Sequence, residues 1–199
     1  MARTRRRLIP FLFVLYIVSY LDRINVGFAA LQMNAALHFG AKVFGLGAGI
    51  FFAGYVLFEV PSNLALERFG ARRWIARIMI SWGLVSAAMM FVQGVPSFYA
   101  LRFLLGIAEA GFFPGMILYL TYWFPAAERA RAIAQFMTAT AIAGVIGGPV
   151  SGALLTLDGR GGLAGWQWLF LIEGLPAVAL GFVVLRHLTD RPEEAHWLP

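Results

Sequence analysis

Residues 97–124 read SFYALRFLLGIAEAGFFPGMILYLTYWF, an apolar run in which Arg102 and Glu109 are the charged positions. A helix needs roughly 20 mostly apolar residues to cross a bilayer core of about 30 Å, and this run is longer than that. Gly94-Val95-Pro96 stands before it and Pro125-Ala126-Ala127 after it, so turn and helix-stop residues bound it on both sides. The reading is a membrane-spanning helix with an acid and a base inside it. Arg102, Gly106, Glu109 and Phe113 are spaced by four, three and four, which puts them on one stripe of an uninterrupted helix. Arg102 and Glu109 are then ~10 Å apart along the axis, too far for direct contact.

Five further segments have the same character, so the spans fall at about 9–36, 43–66, 74–93, 97–124, 130–156 and 166–186. The fold expected is all-α: a six-helix transmembrane bundle. The remaining connections, at His38-Phe39-Gly40, Arg68-Phe69-Gly70 and Asp158 to Gly165, are too short to hold a soluble domain. Composition agrees, with 60% hydrophobic and 13% charged residues and a mean hydropathy of +0.75, values of a chain solvated largely by lipid. The net charge of +6 does not point to nucleic acid, because the basic residues sit in short clusters between apolar runs. No cysteine is present, which excludes disulfide frameworks, thiolate metal sites and cysteine nucleophiles. No metal or other cofactor is expected.

Those basic clusters set the topology. Arg3, Arg5, Arg6, Arg7, Arg68, Arg72, Arg73, Arg129, Arg131, Arg186 and Arg191 fall at one set of helix ends, and Lys42 and Arg160 at the other. By the positive-inside rule both termini are expected to be cytoplasmic. The basic start, Met-Ala-Arg-Thr-Arg-Arg-Arg, is read as a cytoplasmic tail rather than a signal peptide, since the apolar run after it is too long and lacks a small-residue cleavage site. Arg77 is close enough to a span end to snorkel.

Ionisable groups within a span are costly unless paired or hydrated, and so mark function by default. Asp22 and Arg23 in the first span and Arg102 and Glu109 in the fourth lie deep, while Glu59 and Glu173 are nearer span ends. Asp22 is ~20 Å in from the cytoplasmic end of its span and Glu109 ~18 Å in from the outer end of its own, so both come within reach of one central polar cavity if the two helices are neighbours. A carboxylate beside a cation can exchange that partner for a proton or an anionic ligand; alternatively, the four groups neutralise one another as a brace. Tyr16, Tyr20, Asn25, Gln32, Asn34, Tyr55 and Asn63 supply donors around them. Small residues recur at Gly45, Gly49 and Ala53 and at Gly144, Gly148 and Gly152, stripes read either as helix packing or as a sliding seam. Pro61, Pro114, Pro149 and Pro176 lie within or near spans and are compatible with a cavity.

Several of these segments together resemble the major facilitator superfamily, and more narrowly its anion:cation symporter branch. Glu67-Arg68-Phe69-Gly70-Ala71-Arg72-Arg73 is similar to that superfamily's loop between its second and third helices, and Arg102 to Ala110 to its fourth-helix motif. Tyr20-Leu-Asp22-Arg23-Ile-Asn25, Tyr122 to Arg131 and Gly147 to Gly152 resemble the branch. Two departures are visible: the glycine that opens the loop motif is replaced around Ser62-Asn63, and its usual Asp is Glu67.

The resemblance implies a half of a major facilitator fold, built from 3+3 inverted repeats, in a multi-pass protein of the bacterial inner membrane. It implies secondary transport of a small organic anion, a carboxylate, coupled to protons. Arg23 would hold the carboxylate with Tyr55, Asn25 and Tyr20 nearby, Asp22 and Glu109 would carry the proton, and Arg102 would balance their charge. Glu67, Arg68 and Arg72 would latch the cytoplasmic gate. A second six-helix half, in cis or in trans, is the partner this implies.

Three other readings compete with transport. An intramembrane enzyme lacks a histidine within a span, since His38, His187 and His196 are read in loops or tails. A channel would be lined by rings of like charge, and none is evident. A non-transporting fragment or assembly subunit stays open.

Overall fold

The computed structural model describes residues 2–195; His196 lies outside them. Seven α-helices follow one another: α1 Ala2–Leu37, α2 Ala41–Phe69, α3 Ala71–Ala88, α4 Val95–Glu109, α5 Phe112–Trp123, α6 Ala126–Leu155 and α7 Gly165–His187. They supply six lengths apolar enough to cross a membrane, α4 and α5 together making the fourth. The helices run beyond the apolar runs read from sequence, because the basic ends of α1 and α2 continue helical outside the lipid-soluble part. His187 is the last residue of α7, not a loop residue, and its ring packs on Phe11 with centroids 4.5 Å apart.

The fourth span is broken, and this corrects the single stripe expected for it. Ala110 leaves helical geometry and Gly111 takes φ +83°, so Phe113 belongs to a new helix and no longer continues the line of Arg102, Gly106 and Glu109. Gly111 is needed twice over: its backbone is left-handed, and a Cβ there would overlap the Ser62 hydroxyl of α2. Pro114 then sits in the first turn of α5, where no intrahelical N–H is required. Pro61, Pro149 and Pro176 are inside α2, α6 and α7.

The most extensive pairings are α3 with α7, α2 with α4 and α1 with α6. In spans these are third with sixth, second with fourth and first with fifth. Exchanging the first three spans for the last three returns the same set of pairs, as a 3+3 repeat requires. One apolar cluster, including Leu12, Trp82, Met116 and Phe136, fills the end where α1 begins and α7 finishes; another, including Met33, Phe98 and Trp166, fills the opposite end. The charged residues of the interior lie between them.

Close approach depends on glycines other than those of the expected stripes. A Cβ added at Gly45, Gly49, Gly144, Gly148 or Gly152 would meet nothing within 4 Å, so those stripes pack against no neighbour in this chain. The α2–α4 crossing instead rests on Gly54 and Gly106, each lying against the other helix's backbone. Helix periodicity separates these residues by face, and only the pairing of helices selects the face.

The basic ends gather on one side. Arg5 pairs with Glu128 at 2.7 Å, and the Arg72 backbone N–H donates to Asp190 Oδ1 at 2.7 Å. The Tyr119 hydroxyl donates to the Thr189 carbonyl at 2.9 Å. With eleven arginines against Lys42 and Arg160, this end is expected to face the cytoplasm. A reporter fused after Pro199 that is active only outside the membrane should therefore be silent, and one active only in the cytoplasm should work.

Candidate functional site

Asp22 and Arg23 are neighbours in α1, so their side chains leave the helix about 100° apart. Arg23 turns to α4. Its Nη2 and Nε donate to Glu109 Oε1 at 2.5 and 3.1 Å. Ser19, one turn earlier on α1, donates to the same oxygen at 3.4 Å. The Arg23 guanidinium also lies 5.2 Å from the Tyr55 ring centre and 5.9 Å from that of Phe51, both on α2. Its side chain remains 28% exposed and that of Glu109 only 3%.

Phe51 is the hinge of this arrangement. It is 2% exposed and also meets Arg102, whose guanidinium is 4.7 Å from the ring centre. Arg102 Nε donates to the Gly47 carbonyl at 3.2 Å. Among the described residues its charge meets no carboxylate within ion-pair distance, which agrees with the ~10 Å expected from Glu109. Two arginines thus share one aromatic ring, each stabilised by the ring's quadrupole and Arg23 also by an acid.

Asp22 does not share that space. It points to α3, where Trp82 Nε1 and Ser86 Oγ both donate to its carboxylate, and Asn25 Nδ2 donates at 2.8 Å from the next turn of α1. The single cavity expected for Asp22 and Glu109 is therefore two polar networks on two faces of α1. Glu173, read from sequence as near a span end, is 6% exposed and accepts from Ser151 Oγ of α6 at 2.9 Å. The Asn25 amide reaches it as a hydrogen-bond donor and the like charge of Asp22 bears on it, so the second network extends to α6 and α7.

Of the residues expected around a substrate, Arg23 and Tyr55 come together. Asn25 belongs to the Asp22 network, and Tyr20 is placed beside Tyr16 with ring centres 6.5 Å apart. Of the expected latch, Glu67 and Arg68 are exposed and Arg72 is half-buried. Arg68 lies over its neighbour Phe69, and Arg72 contributes a backbone rather than a side-chain bond to Asp190. Sequence reading missed Ser19, Phe51, Trp82 and Ser86. Ser19 and Arg23, and likewise Trp82 and Ser86, are four apart on one helix face, a spacing that marks them in retrospect. Phe51 carries no such signal among its aromatic neighbours.

Residues 12–199 match the Major Facilitator Superfamily. A "Putative tartrate transporter" of Agrobacterium vitis is 65% identical over 192 residues, which cover 96% of this chain and 44% of that protein. The "Inner membrane transport protein RhmT" of Escherichia coli is 43% identical over 196 residues, 98% of this chain and 46% of that protein. The chain spans less than half the length of these curated relatives. Among solved structures, a bacterial homologue of the human lysosomal transporter Spinster, inward-facing and unoccupied, superposes with a TM-score of 0.88 at 20% identity. That match covers 96% of this chain and 44% of the other. With these matches and the six-span bundle above, the chain belongs to the major facilitator superfamily.

Proposed function

We propose that this chain forms the N-terminal half of a secondary transporter that carries a small organic carboxylate together with a proton. The observation that carries this reading is the partly open Arg23 clamped onto the buried Glu109. A guanidinium offers paired donors that match a carboxylate, and here Glu109 occupies them. A substrate carboxylate and Glu109 compete for Arg23. A proton on Glu109 weakens its hold, frees the guanidinium and favours the anion; loss of the proton restores the internal pair and expels it. Coupling follows from charge balance at one arginine, and a monoanion and a proton leave together without net charge.

Asp22 is the second proton position in this reading, joined to the first through adjacent residues of α1, and Arg102 balances the charge of both acids through space. Tyr55 stacks beside Arg23 and narrows the opening to it. Glu67, Arg68 and Arg72 form the latch at the cytoplasmic end, against a second six-helix half. The name of the tartrate-transporter relative supports a carboxylate substrate, and that of the Escherichia coli relative supports an inner-membrane location.

The test uses the complete transporter, with the second half joined in cis or supplied in trans. Arg23→Ala is expected to weaken binding of a transported carboxylate by at least about tenfold, since losing one partner of a desolvated charge pair costs about 2–5 kcal/mol. Isothermal titration reads the affinity directly. An unchanged affinity would remove Arg23 from the binding site and leave the Arg23–Glu109 pair as a brace.

A further inference from the structure

Arg73 and Arg77 lie four residues apart on α3, and neither meets an acid within ion-pair distance among the described residues. They share a face with Ile80, Ser81 and Leu84. The opposite face of α3, carrying Ile75, Met79, Trp82 and Ser86, is buried and reaches Asp22 of α1. The arginine face is therefore the back of the bundle, turned away from the Arg23–Glu109 site. A groove of about 390 Å³ runs along it, walled by Arg73, Arg77, Ile80 and Leu84 of α3 and by Leu185 of α7. Arg77 also borders a second groove of about 360 Å³ with Pro61 of α2 and Ile107 of α4.

The polarity of this face changes along its length. Two cations stand near the end of the span, the Ser81 hydroxyl turns back to donate to the Ile78 carbonyl at 3.2 Å, and apolar side chains continue towards the membrane centre. Arg77 is ~9 Å along the axis from the start of α3, a depth from which its guanidinium can rise to the headgroup level. Its planar group is held on the Trp74 ring at 4.2 Å, and its buried Nε has no hydrogen-bond acceptor within the protein. With no acid beside it among the described residues, this half-buried guanidinium at the lipid boundary is left to find its counter-charge outside the chain. The order of charge and then hydrocarbon matches one molecule, lying head to the basic end and tail to the middle.

We propose that the α3–α7 groove is a binding site for an anionic phospholipid of the leaflet at the arginine-rich end. Arg73 and Arg77 hold the phosphate beside Leu185, Arg guanidinium being suited to paired phosphate oxygens, and an acyl chain lies over Ile80 and Leu84. A phospholipid is favoured over a free phosphate because the groove beyond the arginines is apolar and would stay uncovered by a small ion.

The full-length protein in nanodiscs of equal palmitoyl-oleoyl phosphatidylglycerol and palmitoyl-oleoyl phosphatidylcholine, released by mild detergent into native mass spectrometry, tests this. The unaltered protein should retain phosphatidylglycerol in preference to phosphatidylcholine. Each arginine removed should cut that preference by roughly fivefold, the scale of one basic residue at an anionic membrane surface. Arg73→Gln with Arg77→Gln should abolish it, Arg77→Lys should keep part of it, and Arg131→Gln, elsewhere at the same end, should leave it unchanged. Equal retention of the two lipids by the unaltered protein overturns the site. So does an equal loss with Arg131→Gln, which would mark general leaflet charge, or weakened association of the two transporter halves in the arginine variants, which would mark a protein interface. Circular dichroism confirms helicity; if the double variant does not fold, the lipid preference of the unaltered protein and Arg77→Lys decide the question.

Discussion

Replacing Glu109 with Gln is expected to abolish proton-driven accumulation of substrate by the complete transporter while leaving exchange of substrate across the membrane. Gln has the shape of Glu and keeps an oxygen that can accept from Arg23 and Ser19, so the contacts between α1 and α4 persist in kind. It carries no charge and takes up no proton. Arg23, no longer held by an anion, remains available to a carboxylate, and the loaded carrier can reorient with its neutral mimic in place. Accumulation differs from exchange because it requires a proton to be gained on one side and lost on the other. Coupled one to one, a gradient of about one pH unit sustains about a tenfold substrate gradient, and that factor should fall to one in Glu109→Gln. Counterflow of labelled substrate should continue. Normal accumulation by Glu109→Gln would show that Glu109 is not needed for coupling and that its bond to Arg23 serves packing.

The second large effect expected is on assembly of the bundle, at Gly106. An alanine in mid-helix normally gains about 0.8–1.0 kcal/mol over glycine. At Gly106 the added carbon would overlap the Phe51 carbonyl and lie 2.9 Å from the Tyr55 nitrogen, both backbone atoms of α2 that no side-chain rotation can move. Relief requires α2 and α4 to part, at an overpacking cost typically of about 1–3 kcal/mol and at times more. Gly106→Ala should thus lower the midpoint of thermal unfolding, and Gly106→Val should prevent recovery of monodisperse protein. Gly45→Ala, on the open face of α2, should leave the midpoint unchanged or raise it when the chain is studied without a second half. The Gly106 variants should also perturb Arg23, because Phe51 and Tyr55 ride on the displaced helix. A Gly106→Ala midpoint at or above that of the parent would mean that α4 accommodates the methyl group by a shift absent from this packing.

Much of this protein is legible from residue order. The length and apolarity of the runs define six spans, since a chain in lipid must satisfy its backbone within helices, and the cost of buried charge singles out Asp22, Arg23, Arg102 and Glu109. Those are one-dimensional properties, set along a single helix. Depth is one as well, which is why residue order alone puts Asp22 and Glu109 near the middle of their spans.

Direction and neighbourhood are not. Asp22 and Glu109 lie at similar depth and yet in separate networks, because adjacent residues on α1 point about 100° apart and only the placement of α3 and α4 decides what each one meets. The glycine stripes of α2 and α6 satisfy the rule for close packing, but packing occurs where a second helix arrives, which is at Gly54 and Gly106. At Gly111 the space for a side chain is closed by Ser62 of α2, a residue far from it in sequence. Phe51 meets two arginines only because α1, with Arg23, and α4, with Arg102, both arrive beside α2. In each case periodicity assigns a residue to a face of its own helix, and the identity of the opposing helix, set by the pairing of first with fifth, second with fourth and third with sixth spans, gives that face its chemistry.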